Sequence, residues 1–215
     1  PLIVRPSSTG YEIEIESDYR LPFSGRAFFE WGNSTAGNSW RALGSGLTLR
    51  TGFNVELRLR PRYRWNFNHA QWVENVDADG DGEDDHFVYG ELKSKTLDLT
   101  TRLDMIFTRD LSLEIYVQPF FTVGDYDHFK ELARPNSYEF APYREPEDNP
   151  DFSRRSLQSN IVLRWEYLPG STLFLVWSQS RSASFEEPLF RPLANLGNSF
   201  ADEGTNIFLV KMNYW

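Results

Sequence analysis

The stretch NVELRLRPRYRWNF, Asn54 to Phe67, decides how the rest of the chain is read. Every second residue gives Val55, Leu57, Leu59, Pro61, Tyr63, Trp65 and Phe67. Side chains alternate across a strand, so one face is apolar and aromatic while the other carries Arg58, Arg60, Arg62 and Arg64. Water around an outer face tolerates such a row without partners. The interior of a membrane-spanning barrel also suits it, provided carboxylates stand nearby.

The same two-residue period recurs along the chain. YEIEIESDYR sets Tyr11, Ile13, Ile15 and Tyr19 against Glu12, Glu14, Glu16 and Asp18. TLDLTTRLDMIFT sets Leu97, Leu99, Leu103 and Met105 against Asp98, Arg102 and Asp104. LSLEIYVQPFF places Leu113, Ile115 and Val117 opposite Glu114 and Tyr116, and SNIVLRWEY places Ile161, Leu163 and Trp165 opposite Arg164 and Glu166. NIFLVKMNYW puts Phe208, Val210, Met212 and Tyr214 on the apolar side and Lys211 and Asn213 on the polar one. By parity Phe28, Phe120 and Phe174 fall on the polar side, where they fill gaps or pack under folded loops.

Composition narrows the classes. The 215 residues contain 22 Lys+Arg against 31 Asp+Glu, a net charge of -9 that argues against a nucleic-acid partner. No cysteine is present, which removes disulfides, thiolate metal sites and thiol nucleophiles. Mean hydropathy is -0.52 and no apolar run approaches the ~18 residues of a spanning helix, but alternating barrel strands leave no such run. Seven tryptophans, several near strand ends, suit interfacial girdles.

Tight turns at 20–25, 50–52, 108–112 and 168–171 alternate with connections expected at 33–39, 66–88, 123–155 and 180–205. Outer-membrane barrels divide short periplasmic turns from long extracellular loops in this way. The expected fold is therefore all-β, an antiparallel transmembrane β-barrel with about nine or ten strands visible, treated as one domain over 1–215. A soluble sandwich is the alternative. About nine strands are countable, and the first and last both run toward the periplasm, so an upward strand is wanting before residue 10. The chain thus reads as the C-terminal part of a larger barrel, closed by upstream strands or a partner, with its C-terminus in the periplasm.

The expected lumen-lining set is Arg58, Arg60, Arg62, Arg64, Arg102 and Arg164 with Glu12, Glu14, Glu16, Asp98, Asp104, Glu114 and Glu166. The acidic rows, together with Glu56, are expected to neutralise the arginines inside one ionic, hydrated space. DADGDGEDD, 77–85, resembles the start of a calcium loop, with Asp77, Asp79, Asp81, Glu83 and Asp85 as candidate ligands. It lacks flanking helices, and Val88 stands where the loop's bidentate Glu belongs. A solvated acidic loop is the alternative. His69, His86 and His128 read as isolated loop residues, and no G-x-S-x-G, H-E-x-x-H or phosphate-loop motif occurs, so no enzyme is expected. ARPNSYEFAPYREPEDNPD, 133–151, reads as a capping loop, with sugar stacking by its tyrosines as the alternative.

The segments FKELARP, LRWEYLPGSTLFLVW and FLVKMNYW resemble the C-terminal outer-membrane β-barrel domain of a family of uncharacterised bacterial proteins. Members carry an N-terminal module similar to family-9 carbohydrate-binding domains. The resemblance is strong over about 95–215 and weaker over 1–94. It implies the outer membrane of a diderm bacterium, contact with its lipid, and an upstream region, but no catalytic residues. The expected role is a channel or transport component for a polar solute or carbohydrate, or the anchor of the upstream module. The alternatives are a subunit of a larger surface assembly and an enzyme whose active site lies upstream.

Overall fold

The computed structural model describes residues 3–52 and 54–215. In chain order the elements are β1 (Ser8–Glu16), β2 (Phe23–Ser34), β3 (Ser39–Thr51), β4 (Val55–Val76), β5 (His86–Thr108), β6 (Leu111–Leu132), β7 (Phe140–Pro142), β8 (Phe152–Leu168), β9 (Ser171–Phe185), α1 (Pro192–Asn198) and β10 (Gly204–Asn213). All ten strands belong to one antiparallel sheet in which each pairs with its neighbour in sequence, save that β6 pairs with both β8 and the short β7. The two-residue turn at Pro169 and Gly170 shows how local chemistry sets these hairpins. Gly170 sits at φ 80°, a conformation that a Cβ would strain.

The sheet is open: these strands do not close into a barrel by themselves, and the expected antiparallel all-β arrangement is present as a single sheet. Nine strands make the wall, β7 being an extension of the β6 hairpin, so β1 and β10 run in the same direction. Their free edges would meet in parallel, and the antiparallel meander offers no register for that contact. Every residue of β1 and of β10 is exposed.

The register sorts side chains as the alternation requires. One row crosses eight strands as Phe23, Leu49, Leu57, Leu103, Ile115, Ile161, Trp177 and Phe208, apolar throughout. Rows on the opposite face carry the charges: Arg50, Glu56, Asp104 and Glu114 in one, Thr48, Arg58, Arg102 and Tyr116 in another. Phe28 pairs with Gly44, Phe120 with Asp98, and Phe174 with Arg164, so all three lie on the charged face.

Strands continue well into segments expected as loops. β4, β5 and β6 contain 22, 23 and 22 residues, on the order of 70 Å each. Residues 66–76, 123–132 and 180–185 are thus strand rather than loop, and the first connection shrinks to 35–38. These outer halves mix polar and apolar residues on both faces, so alternation gives no signal there while backbone pairing continues. The helix α1 also lies inside the expected 180–205 loop, with proline in its first turn, where a missing N–H costs nothing.

Burial is sparse. The fully buried large side chains include Phe121, Leu157 and Val88. Phe190, from the β9–β10 connection, stacks on Tyr63 at 5.3 Å and on Phe121 at 5.5 Å. This cover lies on the loop-end row of the apolar band at Tyr63 and Phe121; Ile13 and Leu43 in the same row remain exposed, as do Leu175 and Val210 nearer the turns. The chain exposes 14070 Å². A compact monomer of its mass would expose about 10,300 Å². The excess is the uncovered sheet.

Candidate functional site: the charged face of the sheet

The charged face is organised around β4. Glu56 is the hub at the turn end. Arg50 donates to it at 2.8 Å and Arg58 pairs with it from two residues away, while Arg58 also stands 3.8 Å from Asp104. Higher up, Arg62 donates to both oxygens of Glu30 at 2.8 and 3.0 Å. Glu30 is on β2, two strands away, and the contact exists because intervening β3 presents only Ala42 and Gly44 there. Ala42 is wholly buried in this trough.

Gly44 is occupied by an aromatic ring. A Cβ at that position would lie 2.4 Å from the Phe28 ring, so only glycine lets Phe28 lie flat across β3. The guanidiniums of Arg26 and Arg62 each stand 5.5 Å from the ring centroid, within cation–π range. The same device recurs at Gly124, where Phe152 fills the glycine's space and Arg154 stands 5.1 Å from its centroid.

The structure therefore brings part of the expected lumen-lining set together. Arg58 and Asp104 meet, Arg164 pairs with Glu166 at 2.9 Å, and Glu14 pairs with Arg26 at 3.4 Å rather than with the β4 row. Asp98 is opposite Arg62 in the register. Among the described residues Glu12, Glu16, Glu114, Arg60, Arg64 and Arg102 make no ion pair within 4.0 Å, and Arg102 instead stacks over Tyr116 at 5.3 Å. The acidic edge row is thus not the counter-charge of the arginine row. Glu56, expected as a counter-charge, carries most of the pairing with Glu30 and Arg26, which were not named and whose signal was the alternation in GRAFFEWG.

From β1 across to β5 this face holds a groove of about 620 Å³. Arg26, Arg50, Arg60 and Arg62 line it with Glu16, Asp98 and Phe28.

At the loop end, Asp77, Asp79 and Asp85 can each place one carboxylate oxygen within 4.8 Å of the others, while Asp81 and Glu83 stand outside this trio. The Gly80 and Gly82 amides donate to Asp77 at 2.7 and 2.9 Å and hold its pKa below the usual carboxylate value. Three oxygens are half or fewer of the six to eight that calcium takes.

The histidines depart from their expected isolation. His69 of β4 and His128 of β6 approach the two oxygens of Glu91 at 2.9 and 3.3 Å, and Lys130 stands 3.5 Å from the same carboxylate. His86 pairs with Glu131 at 2.5 Å. Burial pulls the Lys130 amine below its ordinary pKa, with Glu91 opposing. Register shifts between Asn68 and Gln71 and between Tyr89 and Glu91 create this convergence, and no spacing in the sequence announces them.

No curated protein matches the chain. The family model of a domain of unknown function, DUF5916, matches residues 2–215, so it also covers the segment before residue 95, and the chain belongs to that family.

Proposed function

We propose that this chain is wall of an outer-membrane β-barrel, with its apolar face against lipid and its charged face lining an aqueous interior through which polar solutes pass. The observation that carries the reading is the height of the apolar band. On β5 it runs from Leu97 to Met105 and on β8 from Leu157 to Trp165, nine residues each, before Lys95 and Arg155 take over the same face. A spanning strand needs about 9–11 residues. Trp31 and Trp65 lie along the band's loop-end border, and Trp165 lies at its turn end. The exposed surface in excess of a compact monomer is the area that lipid would cover.

Closure follows from the edges. Both point the same way, and two copies inserted in one orientation would again meet β10 to β1 in parallel. Antiparallel closure therefore takes an odd number of further strands between β10 and β1.

These 215 residues contain no cysteine, so within them an introduced cysteine is the sole labelling site. Leu175 and Ser178 lie on opposite faces of β9. In membranes of cells expressing the full-length protein, Leu175→Cys should resist a water-borne maleimide and Ser178→Cys should react. Reaction of Leu175→Cys with protection of Ser178→Cys overturns the reading. A barrel that labels correctly and passes no current in planar bilayers serves as an anchor for an upstream module or as a scaffold, and the tight Glu30–Arg62 pairing favours that second reading.

A further inference from the structure

The groove from β1 to β5 has the size of a small-molecule site and an unequal set of charges. Three of its four guanidiniums are already tied: Arg26 to Glu14, Arg50 to Glu56 and Arg62 to Glu30. These pairs fix their positions and cancel their charges. Arg60 is different. It lines the groove, is exposed, and among the described residues has no carboxylate within 4.0 Å. A free guanidinium offers a planar fork that a carboxylate meets with two parallel hydrogen bonds.

The rest of the groove specifies the body of the ligand. Gly46 on β3 has nothing within 4 Å of where a Cβ would stand, so the floor is open. Thr48, Thr100 and Ser24 supply hydroxyls, and Glu16 and Asp98 supply acceptors. Acceptors on the walls favour a solute bearing O–H donors, and they disfavour a second anionic group by like-charge repulsion.

We infer that this groove binds a hydroxylated monocarboxylate, with the carboxylate seated on Arg60 and the hydroxylated chain lying over Gly46 toward Glu16, while Asp98 stands on the β5 side of Arg60. The inference rests on the charged face lining an aqueous interior. It makes the groove a solute-binding station on the route through the barrel.

The test uses the full-length protein in detergent micelles with gluconate and glucitol, which differ only at the terminal carbon. Saturation-transfer NMR should show gluconate contacts and about tenfold weaker glucitol contacts. Arg60→Ala should reduce the gluconate signal about tenfold without changing the far-ultraviolet circular dichroism, and Arg60→Lys should restore part of it. Equal signals from the two solutes, or an unchanged signal in Arg60→Ala, overturn the inference. Binding in micelles is read independently of the cysteine labelling. A barrel that labels as expected but ignores gluconate sinks only the groove, and gluconate binding by a protein that stays out of the membrane sinks only the barrel.

Discussion

Arg62 and Glu30 are joined across an intervening strand, with one guanidinium nitrogen 2.8 and 3.0 Å from the two carboxylate oxygens. The Arg62 Nε is buried without a partner, so the guanidinium depends on Glu30 for its fixed position. Glu30→Gln should lower stability by about 1 kcal/mol, since both side chains keep roughly a third of their surface in water and screening weakens the pair. Urea titration of the refolded protein in micelles reads this directly. A change below a few tenths would assign the pair no role.

Gly44→Val is expected to cost more, about 1–3 kcal/mol, because the new side chain enters the space of the Phe28 ring. Displacing Phe28 also removes its contacts with Arg26 and Arg62. The double variant Gly44→Val with Phe28→Ala should recover part of the loss. Additive losses in that cycle would show that the two positions do not interact.

The loop trio gives a pH signature. Asp77 has a lowered folded-state pKa, so its contribution is fully present above 3.8 and is lost as pH falls through the lower folded value. The amide shifts of Gly80 and Gly82 should therefore titrate with a midpoint below 3.8, and Asp77→Asn should abolish the transition. A midpoint at or above 3.8 would contradict the hydrogen-bonded geometry.

The free edges predict association. Residues 3–215 refolded alone should form oligomers or aggregates, because β1 and β10 present unpaired backbone along their whole length. Light scattering that reports a stable monomer would mean that the edges are protected by another device.

The two faces of the sheet were legible in the alternation from Tyr11 onward, and the parity that sent Phe28, Phe120 and Phe174 to the charged side agrees with the register. The outer halves of β4 and β6 were not legible. Asn66–Val76 scatters Phe67, Trp72, Val73 and Val76 over both faces among polar residues, so periodicity vanishes where strand pairing does not. Counter-charges were harder still. Arg62 reaches Glu30 only because β3 places Gly44 and Ala42 between them, a fact about a neighbouring strand. The meeting of His69 and His128 at Glu91 depends on bulges, and one inserted residue redirects every side chain beyond it.

Because both borders of this sheet point the same way, any ring that closed it by antiparallel pairing would add an odd number of strands and have an even count. Lineages that enlarge or trim such a ring must then gain or lose whole hairpins, never a single stave. Size in this family should step by twos.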